Sequence, residues 1–337
     1  MNKIISNSKV LITGGAGFIG SNLTEALLAQ GNKVVCLDNF MTGHRKNIEP
    51  FLKNENYTLI EGDIRNYEDC EKAVAGCDYV LHQAALGSVP RSIKDPMTAT
   101  DVNIGGFVKM LFAAKEAKVK RFIYAASSST YGDHPDLPKV EDKIGNPLSP
   151  YAITKYTNEL FAKNFSNIYG IETIGLRYFN VFGQRQDPDG PYAAVIPKFV
   201  RHLMKHQAPV INGDGSYSRD FTFIDNVIQA NQKAAETPSE KLFCNQFKQG
   251  KEKSQVFNIA LGERTSLNEL FYILRETLAN KDPEISSIKA IYGPTRDGDI
   301  PHSLASIQKA RDLLGYNPSI SIRKGLEKAC NWYWNNL

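Results

Sequence analysis

Tyr151 and Lys155 stand four residues apart, so on a helix their phenol and ammonium share one face and can act on one reacting group. Ser149 before them reads as an N-cap and Pro150 as a first-turn residue. A tyrosine of ordinary pKa, about 10, is roughly 0.1% ionised at neutral pH, so work as a base needs a shift of about three units, or ~4 kcal/mol. Positive charge supplies such a shift, and Lys155 and the helix N-terminus beside Tyr151 both act in that direction. Alone, a Tyr/Lys pair at this spacing reads more readily as a solvent-facing helix pair. Its place downstream of the elements described next reverses that reading.

A second chemical group precedes it. The β-rich run Arg121 to Ala125 leads into Ser127-Ser128-Ser129-Thr130-Tyr131-Gly132, which places hydroxyls at the C-terminal edge of a strand, where ligands of α/β sheets bind. One of these hydroxyls is suited to hydrogen-bond a reacting oxygen. The alternative is a serine-rich turn with local backbone hydrogen bonds.

The elements that must position these groups are legible as alternation. Val10 to Thr13, Lys33 to Leu37, Tyr57 to Glu61, Tyr79 to Gln83, Arg121 to Ala125 and Thr173 to Arg177 read as strands. Segments between them, such as Ser21 to Gln30 and Asp101 to Ala117, carry apolar residues at helical spacing. Strands alternating with helices imply an α/β fold, a doubly wound parallel sheet of Rossmann type. Thr13-Gly14-Gly15-Ala16-Gly17-Phe18-Ile19-Gly20 joins the first strand to the first helix, and glycines there allow a tight turn and close approach of a pyrophosphate to the helix N-terminus. Asp38-Asn39 ends the second strand, where a carboxylate meets the ribose hydroxyls of NAD; Arg45 and Lys46 nearby leave a 2′-phosphate open. Asp63-Ile64 ends the third strand, as an adenine contact or with Asp63 as a helix cap.

After about Tyr178 the pattern loosens, with helices at Val195 to Lys205 and Leu267 to Leu278 and turn-rich stretches at Gly183 to Gly190 and Gly213 to Gly215. The expectation is a cofactor domain over residues 1–178 and a smaller, mainly substrate-binding α/β domain over 179–337. Segments near 221–230 and 256–260, including Val256 to Ile259, are candidates to return to the first domain. Glu240 to Ser254 reads as a surface loop.

Composition excludes several classes. With 337 residues and 42% hydrophobic content the chain can bury a large core. Five cysteines (Cys36, Cys70, Cys77, Cys244, Cys330) lack C-x-x-C spacing, so neither zinc nor a redox pair is suggested. The 40 basic and 36 acidic residues are dispersed, which gives nucleic-acid binding no support. No stretch reaches the roughly 18 apolar residues of a membrane span, and no signal peptide is evident, so the expected location is the cytoplasm with no membrane partner.

The glycine turn, Asp38, the serine run before Tyr131-Gly132, Tyr151-x-x-x-Lys155 and Arg177-Tyr178-Phe179-Asn180-Val181-Phe182-Gly183 together resemble the extended short-chain dehydrogenases/reductases that act on nucleotide sugars. Within that family the chain is most similar to UDP-sugar 4-epimerases, in particular those of UDP-N-acetylhexosamines in bacterial surface polysaccharide synthesis. The resemblance implies tightly held NAD and a homodimer formed through two helices per subunit, here Asp101 to Ala117 and Pro150 to Tyr169. It implies that Ser127, Tyr151 and Lys155 are catalytic. Around NAD it places Gly14, Gly17, Phe18, Ile19, Asp38, Asn39, Asp63, Ile64, Gln83, Ala84, Ala85, Asn103, Tyr151, Lys155 and Tyr178. Family dehydratases and decarboxylases carry acidic residues just after the catalytic hydroxyl; Ser128 and Ser129 stand there instead, which favours epimerisation.

For the UDP end the resemblance places Asn180 at the phosphates, Ala194 and Val195 over the diphosphate and Asn212 near the uracil. Arg219 and Arg296 would clamp the phosphates, as planar forks of donors suit them, and Asp299 would hold the ribose. Ser303 stands where the epimerases restricted to UDP-glucose carry a tyrosine, which leaves room for an N-acetyl group; Gly87-Ser88 and Gln186 fall along the same sugar pocket. Substrates left open are UDP-glucose and a uronate such as UDP-N-acetylglucosaminuronate, whose carboxylate Arg91 or His302 could meet. A catalytically silent NAD-sensing or scaffold protein is the alternative from another class.

Overall fold

A computed structural model describes residues 5–188, 194–243, 252–295 and 300–337. Its centre is a seven-stranded sheet, all parallel: β1 (Lys9–Thr13), β2 (Lys33–Asp38), β3 (Tyr57–Glu61), β4 (Tyr79–His82), β5 (Arg121–Ser127), β6 (Thr173–Tyr178) and a later strand, Ser254–Ile259, in the order β3-β2-β1-β4-β5-β6-Ser254–Ile259. The inner strands are near-continuous apolar runs, as strands covered on both faces require, and Val10, Leu11 and Ile12 are fully buried. After β3 the chain crosses back to lie beside β1 as β4. That reversal opens a crevice beyond the C-terminal ends of β1 and β4, the ligand position of such sheets.

Helices α1 (Phe18–Ala29), α2 (Tyr67–Val74), α3 (Val89–Lys94), α4 (Pro96–Thr100), α5 (Phe107–Glu116) and α6 (Pro150–Tyr169) lie between the first six strands. A π-helical turn, Asp101–Gly106, precedes α5, so the stretch read as one helix contains a wide turn. The remainder comprises β7 (Val181–Phe182), α7 (Val195–Met204), β8 (Val210–Asn212), β9 (Ser218–Arg219), β10 (Thr222–Phe223), α8 (Ile224–Glu236), α9 (Ser239–Phe243), β11 (the Ser254–Ile259 strand), β12 (Thr265–Ser266), α10 (Leu267–Ala279), β13 (Ile291–Gly293), α11 (Gln308–Leu314) and α12 (Ile322–Asn336).

The second half is more helical than its sequence suggests. α8 packs on β5 and β6, and α12 packs on α10 and α7. The segment expected as a loop over Glu240 to Ser254 is corrected at both ends. Glu240 lies in α9, with Leu242 buried, and Ser254 opens β11, where its hydroxyl accepts from Thr173 Oγ1 at 2.8 Å. Residues 244–251, with Cys244, lie outside the described residues, as does Gly190. The other four cysteines are buried single thiols.

One buried ion pair ties α6 to the sheet. Arg177 of β6 donates through Nε and Nη2 to both carboxylate oxygens of Glu159 on α6, at 2.8 and 2.7 Å, with both side chains under 10% exposed. The fork-to-fork geometry and a third bond from Arg177 Nη1 to the Glu141 carbonyl, at 3.0 Å, satisfy charges that burial would otherwise penalise. Among the described residues no helix is long and apolar enough to cross a membrane.

Candidate active site

The glycine turn comes first because it sets how close the chain can approach a ligand. Gly14 has φ +70°, and a Cβ there would stand 2.9 Å from the Cα and N of Ala84, so only glycine lets β1 turn beneath the loop after β4. At Gly20 a Cβ would meet the Gly14 carbonyl oxygen at 2.1 Å, which lets α1 begin directly on the turn. Gly17 is the N-cap of α1, and no side chain caps it, so first-turn N–H groups are left for an incoming anion.

These residues line a cleft of about 490 Å³ together with Phe18, Ile19, Asp38, Asn39, Asp63, Ile64, Gln83, Ala84, Ala85, Ser88 and Arg91. Met41, Thr42, Gly43 and Asp187 also line it; they carry no motif, and the sequence reading missed them. Asp38 is buried and accepts from the N–H groups of Ala16 at 2.9 Å and Phe40 at 2.8 Å. Burial pushes its carboxyl up and those two bonds pull it down. Each oxygen keeps acceptor capacity for a hydroxyl. Arg45, which left a 2′-phosphate open, donates from Nη2 to both carboxylate oxygens of Glu61, at 2.9 and 2.7 Å, and stacks on Phe40. The cradle, the uncapped helix and a carboxylate at the second strand end fit NAD.

Asp63 does not cap a helix. Asn66 caps α2, while the Asp63 carboxylate takes a forked pair from Arg65 at 3.0 and 2.7 Å and a bond from Asn39 at 2.7 Å, which hold it down at about 2. Asn103 is placed behind the cleft wall. It sits in the π-helical turn, accepts from Leu86 N at 2.7 Å, donates to Leu86 O and to Thr154 Oγ1, each at 3.2 Å, and so braces the loop after β4. It supports the cleft wall rather than lining it. Gln83 and Tyr178 belong to one network, in which Tyr178 donates to Gln83 Oε1 at 3.2 Å and receives Asn231 Nδ2 at 2.9 Å. Asn231 comes from α8 and had no signal in the sequence.

Tyr151, Lys155 and Ser127 converge at the end of β5. Ser149 caps α6 by accepting from Ala152 N at 3.2 Å, and the N–H of Tyr151 donates to the buried Ser92 hydroxyl at 3.0 Å. Lys155 is buried and donates to Ala125 O at 2.8 Å, with its Nζ 5.9 Å from the centre of the Tyr151 ring. The Tyr151 phenol faces Ser127, whose hydroxyl favours its ionised form. Ser127 Oγ also accepts from the N and Oγ of Ser129, at 3.1 and 2.9 Å, within the short helical turn Ser128–Tyr131. The local serine-turn reading therefore holds for Ser129 while Ser127 faces the phenol. Burial outweighs the influence of the Ser127 hydroxyl and pushes Tyr151 up from 10, so the resting group is a phenol. Burial pushes Lys155 down to about 8.

A second cleft, of about 300 Å³, gathers Asn180, Ala194, Val195, Asn212 and Arg219 from four separate segments. Lys198, Phe199, Phe221 and Leu267, unnoticed in the sequence, line it too. Arg219 donates to the carbonyls of Ser218 at 3.0 Å and Pro301 at 3.1 Å. Ser303 is half-buried, its N–H bonded to Ser218 O at 3.0 Å, beside β9. Gln186 turns its amide onto Val181 O at 3.0 Å, and His302 pairs with Ser218 Oγ at 2.9 Å. Arg296 and Asp299 lie outside the described residues. Among the described residues no cluster of His, Cys, Asp or Glu could hold a metal.

The fold and site thus define a dinucleotide-binding α/β protein with a Ser/Tyr/Lys set at its cofactor edge. Residues 10–259 match the model of the NAD dependent epimerase/dehydratase family, and the chain belongs to it. A putative UDP-glucose 4-epimerase of Methanocaldococcus jannaschii is 35% identical over 331 residues, 97% of this chain and 99% of that protein. UDP-glucuronate 4-epimerase 2 of Arabidopsis thaliana is 32% identical over 335 residues, 96% and 75% of the two chains. The solved UDP-N-acetylglucosamine 4-epimerase from Methanobrevibacter ruminantium, in complex with UDP-N-acetylmuramic acid, is similar at 37% identity and TM-score 0.88, covering 99% of this chain and 100% of that one.

The buried lysine makes a pH signature. Its pKa is depressed from 10.5 to about 8, so between those values the unfolded chain binds more protons and stability rises with pH. Below that window the cost of burying the charge is constant, and above it the cost is gone. In NAD-free protein, Lys155→Met should be the more stable form below pH 8, and the difference in denaturant midpoint from wild type should shrink as pH climbs toward 10.5. A difference independent of pH would mean that Lys155 is not buried as a cation.

Proposed function

We propose that this chain is a UDP-sugar 4-epimerase acting reversibly on UDP-N-acetylhexosamines, UDP-GlcNAc to UDP-GalNAc, for surface polysaccharide synthesis. The observation that carries the reading is the convergence of Tyr151, Lys155 and Ser127 at the end of β5, in a turn whose next residues are serines. No acid stands at those two positions to assist loss of water. The second cleft supports it with amide, lysine and arginine donors suited to a diphosphate, and the relatives named above include 4-epimerases.

Ser127 aligns the sugar C4 hydroxyl, and Tyr151 as phenolate takes its proton, with Lys155 favouring that ionised form. NAD, when bound, brings a cationic ring that further favours the phenolate and a carbon that accepts and returns hydride. The sugar passes through a 4-keto form, turns its other face to the cofactor and receives its proton back from Tyr151. No net oxidation results. Held NAD is retained through the cycle.

A uronate substrate is the second reading, favoured by Arg91 in the wall of the cofactor cleft beside Ser88. A UDP-sugar panel separates it. The large exposed side chains of Ile153 and Leu160, seven residues apart on one face of α6, with Met97 and Ile93 exposed on α4 and α3, support a homodimer in which a second copy covers this face.

Four outcomes check these readings. Purified protein given UDP-GlcNAc without added NAD should form UDP-GalNAc by NMR, and Tyr151→Phe should lose about a hundredfold or more of that rate while retaining NAD. Bound NAD with no turnover of any UDP-sugar would favour the silent scaffold. Ser303→Tyr should shift preference toward UDP-glucose, and an unchanged ratio of kcat/KM values would remove Ser303 from the sugar pocket. Leu160→Arg should convert the sedimenting dimer to monomer; a wild-type monomer would end the dimer proposal.

A further inference from the structure

Asp220 is fully buried, yet it sits between two residues, Arg219 and Phe221, that line the second cleft. Its carboxylate is held by backbone N–H groups from two distant segments: Leu261 at 3.0 Å, Gly262 at 3.3 and 3.1 Å, and Ala305 at 3.2 Å. Its own carbonyl accepts from Asn180 Nδ2 at 2.9 Å, and Asn180 lines the same cleft. Ala305 lies two residues beyond Ser303, in a stretch also bonded to β9 through Ser218 N to Pro301 O at 3.0 Å. Gly262 can aim its N–H at the carboxylate because it holds φ +83°, a conformation other residues rarely adopt.

A buried carboxylate is costly unless its oxygens are satisfied, and burial pushes this one up to about 7 against the pull of those donors, with Glu263 adding to the rise. A neutral side chain would close the same volume without that cost. Packing alone does not call for a charge at this point. The charge does have a geometric consequence, because it ties the chain beside β9 to the turn carrying Leu261 and Gly262 and to the stretch carrying Ser303 and Ala305, while the Asp220 carbonyl holds Asn180.

We infer that Asp220 is a positioning residue of the nucleotide-sugar cleft: its carboxylate anchors the Arg219–Phe221 wall to two segments behind it, so that Arg219, and Asn180 bonded to the Asp220 carbonyl, meet a diphosphate. This rests on the reading of the second cleft as the UDP-sugar site. Asp220→Asn keeps the shape but turns an amide or an uncharged oxygen toward donors that had a carboxylate. Gly262→Ala loosens one donor while leaving Asp220 in place, and serves if Asp220→Asn does not fold.

The test compares KM and kcat for UDP-GlcNAc, UDP affinity by calorimetry, and NAD content of the purified protein. For Asp220→Asn, KM should rise and UDP affinity fall by about tenfold, the worth of one charge-assisted hydrogen bond, with kcat and NAD content little changed. Gly262→Ala should move KM in the same direction by less. A folded Asp220→Asn protein with wild-type KM and UDP affinity overturns the inference while the functional reading stands. Loss of NAD together with kcat and KM overturns it as well, because the role would then be general folding. If the wild type binds UDP but turns over no UDP-sugar, the affinity comparison still decides the matter; a wild type that binds no UDP sinks both.

Discussion

The hydrogen bond from the Lys155 ammonium to the Ala125 carbonyl holds a cation almost out of water at the end of β5. It is one bond, but α6 can take only one depth and rotation while making it. That rotation is what carries Tyr151, one helical turn earlier, onto Ser127. The Arg177–Glu159 pair, one turn later, fastens the same helix to β6, so the reacting face is defined from both sides. Ser92 accepting from the Tyr151 N–H adds a third attachment, from α3. The phenol is therefore placed by the packing of a helix on a sheet rather than by a loop, and the order of the sheet brings the glycine turn to the same edge.

Much of this was legible because its causes are local. The apolar runs that become β1 to β6, the glycines of the first turn and the cap of α6 each declare themselves within a few residues. Tyr151 and Lys155 are legible from their spacing and the serine run from a strand end, Ser127 is singled out within that run by the family resemblance, and the structure brings the three together. What was not legible shares a physical reason. Asn103, Asp63 and Asn231 are polar residues whose partners lie far away in sequence or are defined only by a turn, and no local pattern tells a carboxylate facing ligand from one facing Arg65. α8 and α12 carried a signal that went unread: Ser321 stands as an N-cap before Ile322, and Leu326, Ala329, Cys330 and Tyr333 follow at helical spacing and are buried. Charged residues between them masked that stripe.

The clefts have one more property in common, and it bears on why the site is where it is. Ser88 in the first cleft and Asn180 in the second both hold positive φ, +99° and +35°. Such backbone costs about 1–3 kcal/mol per residue and persists only where surrounding bonds over-determine it. Here they do: Ser88 Oγ accepts from Arg91 N at 3.3 Å and Asn180 Nδ2 donates to Asp220 O. Each side chain thus restrains its own strained turn while the backbone beside it shapes a cleft wall. The same bonds that make these turns tolerable tie the walls to buried residues, so the geometry offered to a nucleotide sugar is set by the core.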